Sequence, residues 1–171
     1  NSPVLTSSLP TVEAALAGGS FYGFQVDSNL DEDFNAYGVS LEATKSISNN
    51  LSANLVYEYN QKDYEENSSV TSFVSWNTPD HRIKGGLNYT KGAFSLNANA
   101  RYHSEYDYES SFFSDTIESN TVIDAKASFA LPALKATLEI GGNNIGGDNY
   151  VSLPGSGLIG SVYYTGLRID I

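Results

Sequence analysis

The sequence contains no cysteine, no methionine and only five prolines. The absence of cysteine excludes disulfide bonds and thiolate chemistry. No apolar run approaches the ~18 residues that a membrane-spanning helix needs. Basic residues are scarce as well, with nine Lys and Arg against 20 Asp and Glu. The resulting net charge of −11 opposes nucleic-acid binding, which needs a basic surface.

Alternation of apolar and polar residues recurs along the chain, whereas helical periodicity is confined to the short stretch Val12–Ala17. A period of two residues is typical of β-strands. The pattern predicts seven strands of about nine to twelve residues, a length that suits tilted strands crossing a membrane. They are expected at Phe34–Lys45, Leu51–Asn60, Arg82–Thr90, Ala93–His103, Thr121–Leu131, Leu134–Gly142 and Ser161–Ile171.

The connections between the predicted strands alternate in length. Three are tight and three are long, and the long ones are polar or rich in glycine. The tight ones are Ser46–Asn50, Lys91–Gly92 and Pro132–Ala133, and the long ones are Gln61–His81, Ser104–Asn120 and Asn143–Gly160. Outer-membrane barrels have short periplasmic turns and long extracellular loops. We therefore expect an extracellular loop at residues 1–20 and a single domain of barrel strands at residues 21–171.

One parity of each predicted strand is mainly aliphatic or aromatic, and the positions assigned to it carry no charge, from Tyr37–Ala43 in the first strand to Tyr163–Ile171 in the last. The other parity carries Glu42, Glu58, Lys84, Arg101, Asp124, Lys126, Lys135, Glu139, Arg168 and Asp170. A Lys or Arg on the lipid face in mid-membrane costs roughly 2–4 kcal/mol, so selection in a membrane would produce this sorting. A soluble barrel would also alternate, with its apolar face turned inward.

Aromatic residues at the strand ends separate these two interpretations. Tyr37, Tyr59, Tyr102 and Tyr163 fall at the predicted extracellular ends of the uncharged parity, and Tyr89, Phe94 and Phe129 fall near the periplasmic ends. Two aromatic girdles around an aliphatic band are typical of a bilayer-spanning barrel. The general preference of tyrosine for strands is the alternative explanation. We predict an all-β fold, an antiparallel transmembrane β-barrel segment in the bacterial outer membrane.

Seven strands do not make a complete barrel, because bacterial single-chain barrels use even numbers from about eight upward. An open sheet in lipid would leave unpaired backbone groups at its edges. The first and last strands are therefore expected to pair with strands outside this sequence, most simply the N-terminal part of the same barrel. Asn1–Pro10 carries no secretory signal, so a mature chain or a C-terminal fragment is expected.

The last strand fits the pattern read by the barrel-assembly machinery, in which a polar residue, a glycine and two apolar residues are spaced toward the C-terminus. Thr165, Gly166, Ile169 and Ile171 fill these positions, although Ile171 stands where an aromatic residue is usual. These four residues are the predicted assembly signal.

Residues from about 21 to 171 resemble the C-terminal barrel of TonB-dependent outer-membrane transporters, especially the Bacteroidetes type paired with a surface lipoprotein. The motifs that carry the resemblance are Asn77–Arg82, Arg101–Tyr108, Val122–Ala125, Leu131–Lys135, Gly141–Ile145 and Tyr163–Leu167. The resemblance implies a 22-stranded barrel that imports nutrients such as oligosaccharides or peptides. It implies as partners the N-terminal barrel and plug of the same receptor, a lipoprotein lid, TonB through the plug, and outer-membrane lipid.

Nothing in the sequence indicates an enzyme. The segment Gly155–Gly160 matches a dinucleotide fingerprint only in its letters, because a strand and not a helix follows it. His81 and His103 lie at separate strand ends without the spacing of a metal site. We expect no catalytic residues, no cofactor and no resident metal, with Ca²⁺ bound by acidic loops as a secondary idea.

Two predicted loops interleave carboxylates with tyrosines, at Asp63–Glu66 and Glu105–Glu109. The candidate ligand contacts in and near them are Tyr64, Tyr106, Tyr108, Phe112 and Phe113. Such loops suit sugars, peptides or Ca²⁺, but they also suit a solvated surface without a ligand. Two other functions stay open: a structural or adhesive outer-membrane barrel completed by oligomerisation, and a secreted soluble β-sheet binding module.

Overall fold

The computed structural model describes residues 35–63, 76–110 and 114–169. Within them the fold is all-β, with the strands β1 Asn35–Ser48, β2 Leu51–Asp63, β3 His81–Lys91, β4 Phe94–His103, β5 Tyr106–Glu109, β6 Ser114–Ile117, β7 Asn120–Leu131, β8 Ala136–Asn143 and β9 Val162–Ile169. The described residues contain one short 3₁₀ helix, Pro132–Leu134, and no helix there is long and apolar enough to cross a membrane. The loop predicted at residues 1–20 lies outside the described residues.

Seven of the strands form one antiparallel sheet in the order β1-β2-β3-β4-β7-β8-β9, and β5 and β6 form a separate hairpin. Neighbours in the large sheet are consecutive along the chain apart from this hairpin, so each strand pairs with the next through a direct connection. In the part of the chain that the structure describes, β1 and β9 each pair on one side only. The sheet is therefore open and is not closed into a barrel.

All seven predicted sheet strands are confirmed, with changes at their ends. β1 continues to Ser48, so the first tight turn is shorter than predicted. β2 continues to Asp63, which shortens the long connection that follows it. The prediction that the sixth strand starts at Leu134 is wrong. The 3₁₀ helix Pro132–Leu134 is followed by its C-cap residue Lys135, which adopts a left-handed φ of 45°. Strand pairing starts at the next residue, Ala136. The segment Ser104–Asn120, predicted as a loop, contains the β5–β6 hairpin.

The strand register places the seven uncharged parities on one side of the sheet. Residues directly opposite each other in neighbouring strands share a face. Each of the six pairings joins uncharged parities that the sequence pattern predicts separately for the two strands. We call this side the apolar face; its large aliphatic residues include Leu41, Leu55, Leu87, Ile123, Leu138, Ile140 and Leu167.

The aliphatic side chains of the apolar face are open to the surroundings. Leu41 is 63% exposed and Ile140 is 62% exposed, and the others are similar. Among the described residues few apolar side chains are buried, and they include Pro79, Ile117, Val122 and Ala136. The sheet therefore does not pack its apolar face into a protein core, as a soluble β-sandwich would.

Aromatic rings border the apolar face at both ends. Tyr37, Tyr59, Tyr102 and Tyr163 lie near the end of the sheet that carries the long connections. Tyr89 and Phe94 lie near the tight-turn end, with ring centroids 6.2 Å apart, and Phe94 lies opposite Phe129. The aromatic residues predicted for the strand ends thus lie on the apolar face, on four of the seven strands at the long-connection end and on three at the tight-turn end.

Within the described strands, charged residues also reach the apolar face, but only near strand ends, with Asp63 at the long-connection end and two lysines at the tight-turn end. Lys45 lies opposite Ala53, and Lys91 lies opposite Phe94. A lysine near the end of a strand can extend its ammonium group away from an apolar surface while its methylene stem stays in contact with it. The uncharged stretch of β1 therefore ends at Ala43, two residues before Lys45.

The opposite side, which we call the charged face, carries cross-strand ion pairs. Lys84 pairs with Glu58 at 3.5 Å, Arg101 with Asp124 at 2.7 Å, and Lys126 with Glu139 at 3.5 Å. Glu42 takes no part in these three pairs and lies opposite Val56. Solvent-exposed pairs of this kind contribute about 0–1 kcal/mol each, so they do not explain by themselves why the charges collect here.

Candidate functional site

A cavity of about 300 Å³ opens on the charged face at the end with the long connections. Strands β3, β4 and β7 form its floor, and residues of the β5–β6 hairpin and of the β8–β9 connection form its sides. Its polar and aromatic lining includes Arg82, Lys84, Arg101, Tyr106, Asn120 and Tyr150. We call it the basic cavity, because three of these residues are cations.

Strand pairing brings the three cations together. Arg82 and Lys84 are two residues apart in β3, so their side chains leave the same face. Across the β3–β4 pair, Lys84 lies directly opposite Arg101, and Arg82 lies directly opposite His103. Like charges directly opposite in a sheet are destabilising. Each of the three cations also has a carboxylate partner on a neighbouring strand, which offsets part of this repulsion.

The carboxylates near the basic cavity only partly neutralise it. Glu58 is shared, with one oxygen 3.9 Å from the Arg82 guanidinium and the other 3.5 Å from the Lys84 ammonium. Arg101 has its own partner, Asp124, at 2.7 Å. Neither carboxylate lines the cavity, whose described lining contains no acidic residue. Three cations thus face two carboxylates, and one positive charge remains in excess.

Asn120 lines the same cavity, but its side-chain nitrogen is buried and has no hydrogen-bond partner within the described ranges. A buried polar group left without a partner costs about 1–3 kcal/mol.

The β8–β9 connection is held against the charged face by Asn144. The Asn144 side chain is only 2% exposed, and its backbone has a left-handed φ of 52°, which asparagine tolerates better than most residues. Its N–H donates to Asp124 Oδ1 at 3.0 Å, and its side-chain amide donates to the Asp148 carbonyl at 3.0 Å. Asp124 therefore links the connection to β7 and to Arg101.

Tyr150, further along the same connection, is placed over the basic cavity by a local pairing. Its backbone exchanges two hydrogen bonds with Ile159, of 3.0 and 2.8 Å. This pairing folds the intervening residues into a compact bend. The side chain of Tyr150 interacts with Arg101 and lines the cavity.

A second concave region of about 230 Å³ borders the β5–β6 hairpin on its other side. We call it the acidic cleft; its lining includes Trp76, Asp80, Glu105, Tyr106, Asp107 and Glu109. Tyr106 lines both the acidic cleft and the basic cavity. The two regions are thus neighbours that differ in the sign of their charge.

The Asn77–Arg82 motif has a structural role beside the acidic cleft. The Asn77 amide donates to the Glu109 carbonyl at 2.8 Å, and the Glu109 N–H donates back to Asn77 Oδ1 at 2.6 Å. This reciprocal pair joins the segment before β3 to the β5–β6 hairpin. It fixes the hairpin where Tyr106 can border both regions.

The predicted ligand contacts are only partly brought together. Tyr106 lies in both concave regions, whereas Tyr108 lies opposite Asp115 in the hairpin and lines neither. Tyr64, Phe112 and Phe113 lie outside the described residues. The role of these five residues in ligand binding stays a prediction.

The predicted assembly signal falls on β9. Thr165 and Ile169 lie on the apolar face, opposite Ile140 and Ala136, and Gly166 lies on the charged face opposite Glu139. Ile171 lies outside the described residues. The Thr165 hydroxyl donates to the Glu139 carbonyl at 3.0 Å. The signal function itself stays a prediction.

Metal ligands do not converge in the part of the chain that the structure describes. No group of three or more His, Asp or Glu residues there could hold a metal ion. The acidic run Glu105–Glu109 therefore gives no support to the idea of Ca²⁺ binding, and residues 64–66 of the other acidic run lie outside the described residues. His81 lies on the apolar face opposite Tyr59, and His103 lies on the charged face.

The sequence pattern placed Lys84 and Arg101 on the charged parity, but it did not group them with Arg82, Asn120 and Tyr150. The alternation of Arg82 and Lys84 is visible in the sequence, and pairing β3 with β4 would have brought Arg101 beside them. Nothing in the sequence places Tyr150. A scan of protein-family models and a search of curated proteins found no match to this chain.

Proposed function

We propose that this chain forms part of the barrel of a TonB-dependent outer-membrane importer, with the apolar face against lipid and the charged face toward the lumen. The observation that carries the proposal is the sorting of residues across the sheet. Seven strands place exposed aliphatic residues, with aromatic residues at both ends, on one face and the ion pairs of the described strands on the other. In water such a face would be costly, at about 25 cal/mol for each Å² of apolar surface.

The open edges of the sheet support a larger barrel. Within the described residues, β1 and β9 leave one side unpaired, and unpaired backbone groups in lipid cost several kcal/mol each. In the proposed importer, further strands from the N-terminal part of the same receptor pair with these edges. A plug, TonB and a surface lipoprotein lid are the other proposed partners.

Import of a nutrient, and not a purely structural role, is supported by the basic cavity and the acidic cleft. Both lie where the long connections meet, which is the extracellular end in this proposal. A structural or adhesive barrel does not need a concave region lined by three cations. We therefore propose a binding and transport protein and not an enzyme, with an oligosaccharide or a peptide as nutrient.

Single cysteines test which face touches lipid, because these 171 residues contain no cysteine that would interfere. We expect a cysteine at Ala98 or Leu138, on the apolar face, to react with a lipid-soluble maleimide and to resist a charged one. A cysteine at the adjacent Asn97 or Thr137, on the charged face, should react with the charged reagent when the lumen is accessible. Labelling is measured on intact outer membranes.

The reverse labelling pattern, or uniform labelling by the charged reagent, would contradict a lipid-facing apolar side. Matched pairs of adjacent residues control for depth, because neighbours in a strand differ mainly in the face they occupy. Recovery of the protein in the soluble fraction would favour the secreted binding module instead.

Import is tested separately in cells. We expect uptake of a radiolabelled ligand to stop when TonB is deleted, while binding of the ligand at the cell surface persists, because TonB supplies energy for transport and not affinity. Uptake that continues at the same rate without TonB would contradict the importer and favour a passive barrel. A deletion of an unrelated inner-membrane protein serves as the control.

A further inference from the structure

We propose that the basic cavity binds the carboxylate of a uronic acid residue within an oligosaccharide. This inference rests on the proposed function, because it assumes that the cavity faces an aqueous lumen. It names the substrate class more narrowly than import alone does.

The cations of the basic cavity are available to a ligand. The side chains of Lys84 and Arg101 are 56% and 53% exposed, and that of Arg82 is 38% exposed. A guanidinium group binds a carboxylate through two parallel hydrogen bonds, and a lysine adds a compact positive charge. The shared carboxylate of Glu58 lies 3.5 Å or more from both of its partners, so a ligand carboxylate closer to Lys84 would compete with it.

The charge of the basic cavity is opposite in sign to the net charge of the chain. The protein carries a net charge of −11, yet the described lining of this cavity holds three cations and no carboxylate. Lys84 and Arg101 lie directly opposite each other, and their two carboxylate partners only partly offset the repulsion between them. A bound carboxylate would reduce the repulsion that remains.

The surroundings favour a sugar over an acidic peptide. Tyr106 and Tyr150 border the cavity, and Trp76 lies in the adjoining cleft, so aromatic rings are available to cover the apolar faces of sugar rings. The carboxylates of the acidic cleft accept hydrogen bonds from hydroxyl groups, which every sugar ring offers and an acidic peptide mostly lacks. They would also repel further anionic groups, which limits the ligand to one anionic unit at this position.

The volume of the cavity sets the size of the bound unit. At about 300 Å³ it is at the lower end of the range of ligand sites, about 300–1,000 Å³. One ring with its carboxylate fits this size, and the neighbouring neutral rings would extend over Tyr106 into the acidic cleft.

Two disaccharides that differ only in one carboxylate test the inference. Binding of glucuronosyl-glucose and of the neutral glucosyl-glucose is measured by calorimetry on the intact receptor in detergent. We expect the acidic disaccharide to bind at least about tenfold more tightly, since one hydrogen bond to a charged group is worth about 1.5–3 kcal/mol. Lys84→Gln should remove most of this preference, and raised salt should weaken it.

Lys126→Gln is the matched control. Lys126 is on the same charged face and forms an ion pair of the same 3.5 Å length, but it does not line the cavity. We expect it to leave the preference for the acidic disaccharide unchanged, and Lys84→Arg should retain it. Arg82→Gln provides a second test if Lys84→Gln reduces the yield of folded protein.

Equal binding of both disaccharides, no binding of either, or equal losses in Lys84→Gln and Lys126→Gln would overturn the inference. Tighter binding of a tripeptide with one acidic side chain would overturn it in favour of a peptide ligand. Cysteine labelling of the same preparation tests the proposed function separately from the inference of uronate binding. If labelling shows a lipid-facing apolar side but no uronate binds, only the inference of uronate binding is contradicted.

Discussion

Replacing Leu55 with arginine is expected to lower the free energy of unfolding of the membrane-embedded protein by about 2–4 kcal/mol. Leu55 lies near the middle of β2 on the apolar face, and its side chain is 52% exposed. Its cross-strand neighbours are Ala43 and Gly85, which offer no partner for a guanidinium group. In lipid the new charge would have to leave the hydrocarbon or draw water in, and both processes cost free energy.

Asn54→Arg is the matched control for Leu55→Arg. Asn54 is the preceding residue, so it occupies the same depth but the charged face. Its cross-strand neighbours are Thr44 and Gly86, which leave room for a longer side chain. We expect this variant to change the free energy of unfolding by no more than about 0.5 kcal/mol, as is usual for solvated sites. Denaturant titration in vesicles measures both variants.

Water and lipid around the apolar face predict different outcomes for Leu55→Arg and Asn54→Arg. In a soluble sheet, an arginine at a half-exposed position such as Leu55 would be nearly neutral, because water solvates it. Equal stability of Leu55→Arg and Asn54→Arg would therefore contradict a lipid-facing apolar side. A loss confined to Leu55→Arg is explained by lipid and by no property of the isolated sheet.

The large sheet could be predicted from the sequence because its information is local. A period of two residues fixes which side chains share a face of a strand, and tight turns fix how neighbouring strands align. Gly92, with a left-handed φ of 58°, closes the turn between β3 and β4 and thereby sets their register. Once that register is set, Lys84 must lie beside Arg101.

The β5–β6 hairpin and the bend at Tyr150 could not be predicted in the same way. Each strand of the hairpin has only four residues, too few for alternation to be distinguished from chance. The hairpin depends on the contact between Asn77 and Glu109, which are 32 residues apart. Tyr150 depends on the bonds from Asn144 to Asp124 and from Tyr150 to Ile159, and no periodic pattern encodes such contacts. The basic cavity was therefore beyond sequence reasoning, although most of its charges were identified.

Asp124→Ala is expected to release the β8–β9 connection from the charged face. Asp124 accepts two hydrogen bonds, one from Arg101 at 2.7 Å and one from the backbone N–H of Asn144 at 3.0 Å. Because Asn144 is almost fully buried, the loss leaves its N–H without a partner, at a cost of about 1–3 kcal/mol. Amide hydrogen exchange across residues 144–161 should accelerate by about tenfold or more.

Two further variants show whether the released N–H or the lost ion pair causes this effect. Glu139→Ala removes the longer pair with Lys126, and it should leave exchange in the connection unchanged because no backbone bond there depends on Glu139. Asp124→Asn retains an acceptor for Asn144 but weakens the bond with Arg101, so most of the protection should survive. Equal acceleration in Asp124→Ala and Glu139→Ala would contradict the anchoring role of Asp124. Equal acceleration in Asp124→Asn and Asp124→Ala would instead assign the anchor to the charge of Asp124, and would make Arg101 the residue that positions Tyr150 over the basic cavity.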